Sequence, residues 1–206
     1  SPLRVPWAAV TVVLAVGALW YPLSATPAKV ADRYVADAPR GLDGMAWMDA
    51  GATWNENGEF VLASDAAAIR WLRENVAGTP IILEGVTSPY RWTTRMATWT
   101  GLPTIIGWDG HQAQQRAPTR ANAIIDYRKT VVRDLYTLTD LAQIRERLDL
   151  YGVQLIYVGP LERNIYGADG NQATFDQLVA DGSWRIAYAN DGARIYERLA
   201  AAPPPA

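Results

Sequence analysis

The strongest constraint on the fold is an apolar run without any charge, residues 5–23, VPWAAVTVVLAVGALWYPL. A helix of this length crosses about 30 Å of hydrocarbon. Trp7 lies near one end of the run, and Trp20 and Tyr21 lie near the other. Aromatic residues take these places at the two boundaries of a bilayer. The run therefore predicts a transmembrane helix over residues 1–26, with the lipid bilayer as a partner.

The same run has some features of a secretory signal, because the sequence SATPA that follows it is similar to a cleavage site. A signal peptide normally starts with Met and has a shorter apolar core, whereas this chain starts with Ser1. We therefore expect the chain to be a fragment and the helix to be the last one of a larger membrane domain. Pro22 and Pro27 are expected to end the helix. Basic residues lie on both sides of the run, so their count does not orient it.

The composition excludes several classes of function. The 206 residues have a formal net charge of −2, and a nucleic-acid-binding protein would usually have a clustered basic surface. We therefore expect no nucleic-acid partner. The chain has no Cys, which excludes disulfides and thiolate metal sites. Nine Trp and ten Tyr stand against two Phe, and rings with a polar group favour membrane boundaries, wet interfaces and sugar ligands.

Beyond residue 63, helix-like and strand-like segments alternate. Three short apolar runs are typical of buried strands, namely PIILEG, PTIIG and VQLIYVG. Ser64 or Asp65 is expected to cap the first helix of this part. The Asn190–Gly192 turn between two strand-like runs predicts a hairpin. The pattern predicts an α/β fold with a layered, mostly parallel sheet and a C-terminal antiparallel hairpin, preceded by the transmembrane helix.

The chain is expected to divide into four regions. Residues 1–26 would form the membrane helix, and residues 27–63 an extended connecting region that is polar and Gly-rich without a clean period. Residues 64–199 would form the α/β domain. Residues 200–206, AAAPPPA, have low complexity and are expected to be a disordered tail.

Polar residues follow the predicted strands, where ligands of α/β sheets usually bind. After the first strand, Arg91 and Arg95 would lie one turn apart at the start of a helix. Two guanidinium groups at a helix N-terminus suit a phosphate or a carboxylate. Alternatively, Glu84 pairs with one of these arginines and only fixes the loop.

The segment after the second strand, GWDGHQAQQR, contains the only histidine of the chain, His111. Trp108 could stack on a sugar ring, and Asp109 could cap the following helix. His111, Gln112 and Arg116 would give this helix a polar face, which is either solvated or directed at a ligand. One His and one Asp rarely suffice for a metal site, so we expect no metal in this chain.

After the third strand, Glu162 begins a short helix, where the helix dipole favours an acidic residue. Glu162 could reach Arg91, Arg95 or Arg116 across the strand ends. Such contacts would form an ion-pair network rather than a binding site. The chain contains no GxGxxG, Walker A, GxSxG, HExxH or zinc-ribbon motif. A self-contained enzyme of these motif-bearing classes is therefore not expected.

Four segments of the chain carry a resemblance to a known family. They are GLDGMAWM, AIRWLRENVAGTPIILEG, YRWTTRMATWTGLPTIIGWDGHQAQQR and YGVQLIYVGPLERNIYG. They resemble the C-terminal region of the bacterial and archaeal YYY membrane proteins, over a stretch from about Tyr21 to Arg198. That polytopic family is similar to the type-C glycosyltransferases, which include oligosaccharyltransferases and protein mannosyltransferases. Those enzymes take sugars from lipid-phosphate donors.

The resemblance implies that residues 64–199 form an extracytoplasmic domain at the cell membrane. The catalytic carboxylate would lie in a membrane-domain loop outside this chain, so the chain alone would be inactive. The strand ends would face the upstream membrane domain and a lipid-linked sugar. The sequence GWDGH at 107–111 is similar in character to the Trp-Trp-Asp motif of oligosaccharyltransferases, but it has one Trp and lacks the Tyr of that motif.

The resemblance further implies a substrate pocket. Its lining would be Tyr90, Arg91, Arg95, Trp108, Asp109, His111, Gln112 and Arg116, with Glu84 and Glu162 in structural ion pairs. No cofactor is expected in this chain, whereas the full-length protein could use a divalent metal. Two other interpretations stay open. One is a non-catalytic module that docks on its own membrane domain or on a partner. The other is a soluble enzyme from which residues 1–26 are cleaved.

Overall fold

The structure is a computed structural model of the chain. It divides into two compact units, Ser1–Ala50 and Gly51–Ala206, which are described separately. The residues that the structure describes are 2, 4–33, 39–116 and 119–199. The predicted disordered tail, residues 200–206, therefore lies outside the described residues. The predicted division into four regions stays a prediction.

The first unit contains a long exposed helix, α1 (Arg4–Arg33), none of whose residues is buried. By length and composition α1 is able to cross a membrane, although a signal sequence at an N-terminus meets the same criteria. Pro22 and Pro27 lie inside α1 and do not end it, contrary to the expectation. A proline removes only one N–H donor, and helices of membrane-spanning composition tolerate such interruptions.

A short helix and a hairpin lie between α1 and residue 63. The first unit also contains the single-turn helix α2 (Ala46–Asp49). In the second unit, β1 (Thr53–Asn55) and β2 (Glu59–Val61) form an antiparallel hairpin. The turn residues Asn57 and Gly58 both have positive φ angles, of 54° and 132°. An Asn-Gly pair favours this turn, and this signal would have predicted the hairpin.

The main sheet has four strands in the order β3-β4-β6-β5. They are β3 (Ile81–Leu83), β4 (Val153–Val158), β5 (Trp184–Ala189) and β6 (Arg194–Arg198). Only β3 and β4 are parallel, and β6 is antiparallel to both of its neighbours. The α/β class and the C-terminal hairpin are therefore confirmed, but the expectation of a mostly parallel sheet is wrong. The run PTIIG contributes a single parallel bridge, between Thr104 and Ile82, in place of a further strand.

Seven helices accompany the sheet in the described part of the second unit. They are α3 (Ala63–Asn75), α4 (Arg95–Thr100), α5 (Asp109–Gln115), α6 (Thr119–Thr137), α7 (Leu141–Leu150), α8 (Pro160–Tyr166) and α9 (Gln172–Ala180). Local signals end or begin some of them. Gly101 closes α4 with a φ of 79°, which favours glycine. Asp140 caps α7 by accepting hydrogen bonds from the amides of Ala142 and Gln143 in the first turn.

The core lies between these helices and the sheet. Apolar side chains of α6 and α7, including Leu135, Ile144 and Leu148, pack into one buried cluster with Ile156 and Val158 of β4. The hydroxyl of Tyr136 on α6 donates a 2.6 Å hydrogen bond to the carbonyl of Tyr157. The strand ends at which polar residues were predicted are therefore held by a packed core.

Candidate functional site

A buried cluster of charged side chains lies at the ends of β3 and β4. Arg95, at the start of α4, is only 2% exposed. Its Nε donates to Asp65 Oδ2 at 2.6 Å, and its Nη1 and Nη2 donate to Glu162 Oε1 and Oε2 at 3.1 and 2.7 Å. Its guanidinium carbon also lies 4.9 Å from the ring centre of Tyr157. Bidentate geometry of this kind is the strong form of an Arg–carboxylate pair.

Both carboxylates of the cluster accept further hydrogen bonds. Asp65 also accepts from the indole nitrogen of Trp92, at 2.5 Å, and from the hydroxyl of Tyr157. It is therefore part of the core and not the cap of α3, contrary to the expectation, and α3 begins at Ala63 without a side-chain cap. Its carboxylate oxygens are engaged by these side chains, which explains why it does not serve the helix terminus.

Glu162 joins the two strand ends. Its carboxylate accepts hydrogen bonds from the amides of Gly85 and Gly159, both at 2.8 Å, in addition to its contact with Arg95. The first amide directly follows Glu84 at the end of the β3 segment, and the second directly follows β4. The expected contact between Glu162 and an arginine is thus present, and the cluster fixes the loops that follow both strands.

Glu84 is fully buried but makes no hydrogen bond to an arginine within the described part of the chain. Instead its carboxylate accepts from the amides of Met96 and Ala97, at 2.9 and 3.0 Å, at the start of α4. Burial raises the pKa of Glu84 from 4.5 to about 7, although the charge of Arg95 and the two amides act in the opposite direction. Glu84 therefore fixes the loop through the backbone rather than through the expected side-chain pair.

The raised pKa of Glu84 predicts a pH dependence of stability. The pKa of Glu84 is higher in the folded state than its unfolded-state value of 4.5. Protonation of Glu84 therefore contributes stability that is fully present below about pH 4.5 and is lost as the pH rises to about 7. We expect the free energy of unfolding to fall by about 3 kcal/mol over this interval. Denaturant titrations of the chain in detergent would measure it. Glu84→Gln should remove the slope, whereas Glu74→Gln, at an exposed position of α3, should retain it. An equal slope in both variants would assign the effect to another group.

Three aromatic side chains form a group, here called the aromatic rim: Tyr90 and His111, which are exposed, and Trp108, which is half-buried. The hydroxyl of Tyr90 lies 2.7 Å from His111 Nε2. The ring centres of the three residues lie 5.1 to 5.3 Å apart, pair by pair. Tyr90 is 65% exposed. The rim thus presents aromatic surface together with a hydrogen-bonded imidazole and phenol.

The loop that carries Tyr90 is held in an unusual conformation. Tyr90 and Thr94 have φ angles of 63° and 57°, in the left-handed region that non-glycine residues rarely adopt. Within the loop, Thr93 Oγ1 donates to the carbonyl of Gly85 at 2.8 Å and accepts from the amide of Thr87 at 3.3 Å. Backbone strain that is maintained by surrounding contacts is common at functional sites.

Two buried polar atoms of the rim region have no hydrogen-bond partner among the residues that the structure describes. They are Thr87 Oγ1 and the indole nitrogen of Trp108. An unsatisfied buried donor usually costs about 1–3 kcal/mol. The neighbouring backbone is closely packed, because a Cβ at Gly110 would lie 3.2 Å from Pro89. A cleft of about 440 Å³ borders this contact and is lined by Pro89, Asp109, Gly110, Ala113, Asn122, Ile125 and Asp126.

The other predicted residues of α5 are engaged locally. Asp109 accepts from the amide of Gly110 at 2.8 Å and forms an ion pair with Lys129 of α6. It is therefore the first residue of α5 and joins α5 to α6, while Trp108 occupies the cap position without a side-chain cap. Arg116 Nη1 donates to Gln112 Oε1 at 2.9 Å on the surface of α5.

The structure groups the predicted site residues into two sets. Tyr90, Trp108 and His111 come together in the rim, and Arg91 and Arg116 are exposed. Arg95 belongs to the buried cluster instead. Asp65 was missed as a site residue, although the positions of Asp65, Ile69 and Leu72 at spacings of four and three predict one helix face. Within the described ranges, no group of three or more His, Asp or Glu side chains could hold a metal ion.

Comparison with known proteins finds a resemblance among solved structures only. No family model matches the chain, and no curated protein matches it. Among solved structures, it is similar to the C-terminal globular domain of an oligosaccharyltransferase from Archaeoglobus fulgidus, with a TM-score of 0.37 and 9% sequence identity. The match covers 65% of this chain and 95% of that domain.

Proposed function

We propose that the chain is a membrane-anchored, extracytoplasmic module of a glycosyltransferase-like membrane protein, and that its aromatic rim binds a saccharide. The observation that carries this proposal is the grouping of Tyr90, from the loop before α4, with Trp108 and His111 at the start of α5. Aromatic faces pack against the C–H groups of sugar rings, while the phenol and imidazole can hydrogen-bond sugar hydroxyls.

The charged residues of the site support binding rather than catalysis. Asp65, Glu84 and Glu162 are fully buried, and each accepts at least two hydrogen bonds. A general acid or base must be within hydrogen-bond reach of the reacting group, and these carboxylates are closed off from the surface. We therefore propose that a carboxylate outside this chain performs the transfer of sugar from a lipid-phosphate donor, with any divalent metal bound there.

The membrane anchor in this proposal is α1. Its length, its composition and the finding that none of its described residues is buried support a lipid environment. The extracytoplasmic side of the domain follows from the resemblance to the YYY membrane proteins, and it is part of the proposal.

A second candidate function is a non-catalytic module that docks on a membrane domain or a partner. The observation that favours it is a pair of exposed apolar side chains on α6, Ile124 and Tyr127. They are three residues apart and so lie on neighbouring positions of one helix face. Single substitutions distinguish the two functions, because a change on this helix face would affect docking and a change in the rim would affect saccharide binding.

To test saccharide binding, the chain is placed in lipid nanodiscs, and its affinity for uncharged oligosaccharides is measured by calorimetry. We expect Tyr90→Ala and Trp108→Ala each to weaken binding by about tenfold, because each removes a stacking surface. Tyr127→Ala, which removes a similarly exposed tyrosine that is not part of the rim, should leave binding unchanged.

Equal affinities in the wild type and both rim variants would contradict the proposed rim. Loss of association with the full-length membrane domain in Tyr127→Ala, without any saccharide binding by the wild type, would favour the docking function. The same variants in the full-length protein, supplied with polyprenyl-phosphate sugars, would show whether the rim affects transfer.

A further inference from the structure

A second cleft, outside the rim, contains two basic side chains. It has a volume of about 280 Å³ and is lined by Val86, Lys129, Thr130, Arg133 and Tyr166. The walls therefore come from α6, from the loop that follows β3 and from the end of α8. The saccharide proposal does not use this cleft.

The cations of this cleft are placed to act together. Lys129 and Arg133 are four residues apart on α6, so their side chains lie on the same face of the helix. Arg133 is 62% exposed, and its nearest carboxylate among the described residues is that of its chain neighbour Asp134, at 3.6 Å. Asp134 also contacts Arg147 at 3.4 Å, so its charge is shared.

The opposite wall of the cleft is rigid and neutral. The ring of Tyr166 stacks on Tyr136 with ring centres 4.8 Å apart and planes within 2° of parallel. Its hydroxyl donates to the carbonyl of Val86 at 3.1 Å and accepts from the amide of Val86 at 3.0 Å. Burial raises the pKa of Tyr166 to about 12, so this phenol stays uncharged beside Arg133.

We propose that this cleft binds an oxyanion of the phosphate class between Lys129, Thr130 and Arg133. The planar guanidinium of Arg133 would bind two oxygens of the anion, and the ammonium of Lys129 and the hydroxyl of Thr130 would complete the site. Lys129 also forms an ion pair with Asp109 of α5. An anion that attracts Lys129 therefore competes with Asp109, which couples the cleft to the helix that carries His111.

A phosphate group can come from a soluble ester or from a lipid headgroup, and two arms of one experiment separate these sources. In the first arm, glycerol phosphate is titrated onto the chain in phosphatidylcholine nanodiscs. In the second arm, the chain is placed in nanodiscs that contain phosphatidic acid, and headgroup contact is followed by ³¹P NMR line broadening. We expect Arg133→Gln to weaken binding at least tenfold in the arm that shows binding, and Arg133→Lys to recover part of it.

The matched control is Arg185→Gln on β5, which removes an equally exposed arginine from an ion pair with Glu197. It should bind like the wild type. Binding in the first arm identifies a soluble phosphate ester as a source, and binding in the second arm alone identifies a lipid headgroup. Absence of binding in both arms, or an equal effect of Arg133→Gln and Arg185→Gln, would overturn the proposal. The saccharide experiment uses uncharged sugars, so the two proposals can fail independently.

Discussion

Arg95→Met is expected to lower the free energy of unfolding by about 3–5 kcal/mol. The substitution leaves Asp65 and Glu162 without their cation, while both carboxylates remain fully buried. Burying an unpaired charge is among the most destabilising changes that a single substitution can make. Chemical denaturation of the chain in detergent, followed by tryptophan fluorescence, measures the change.

Two further variants make this expectation specific. Arg185→Met also removes an arginine from an ion pair, but its pair with Glu197 is largely exposed, so we expect a loss below about 1 kcal/mol. Adding Asp65→Asn to Arg95→Met should recover part of the lost stability, because it removes one of the two uncompensated charges. If Arg95→Met and Arg185→Met lower the free energy of unfolding by the same small amount, the buried cluster does not stabilise the fold.

Leu14→Arg is expected to prevent stable membrane insertion of the chain. Leu14 lies at the centre of the uncharged run, and an arginine at the middle of a spanning helix costs about 3 kcal/mol. That cost corresponds to a roughly hundredfold shift of the insertion equilibrium. Extraction of cell membranes with alkaline carbonate should therefore release the variant and retain the wild type.

The control for Leu14→Arg is Leu42→Arg, which introduces the same side chain at an exposed leucine outside α1. It should remain with the membranes. Retention of both variants would contradict a spanning role of α1. N-terminal sequencing of the wild type tests the signal-peptide alternative directly, because cleavage would remove residues 1–26 from the mature chain.

Local sequence signals predict the helices and the last hairpin well, because their causes lie within a few residues. The apolar spacing of Leu141, Ile144 and Leu148 predicts α7, and Ile144 and Leu148 are indeed buried. The turn Asn190–Gly192 predicts the β5–β6 hairpin, in which the side chain of Asn190 accepts from the amides of Gly192 and Ala193.

The sheet topology could not be predicted in the same way, because strand neighbours are chosen by tertiary packing. The β6 strand pairs with β4, whose residues lie about forty positions earlier in the chain, with Ile156 opposite Tyr196. A short apolar run such as PTIIG does not show whether it will form a ladder or, as Thr104 does, a single bridge.

The grouping of residues in the candidate site could be predicted where the residues are close in the chain. Trp108 and His111 are three residues apart and both adjoin Tyr90, which was also expected at the site. The burial of Arg95 was not predictable, because it depends on Asp65 and Glu162, which are 30 and 67 residues away. Long-range pairs of this kind leave no periodic signal in a single sequence.

The position of Glu162 has a consequence for how this sequence can vary. Its Oε1 occupies the space next to Gly85, since a Cβ at that glycine would lie 2.8 Å from the oxygen. An alanine at position 85 would therefore displace the Glu162 carboxylate, and that displacement would disturb its bidentate contact with Arg95. These contacts make the three positions depend on one another. Across divergent relatives, we expect residues 85, 95 and 162 to change together.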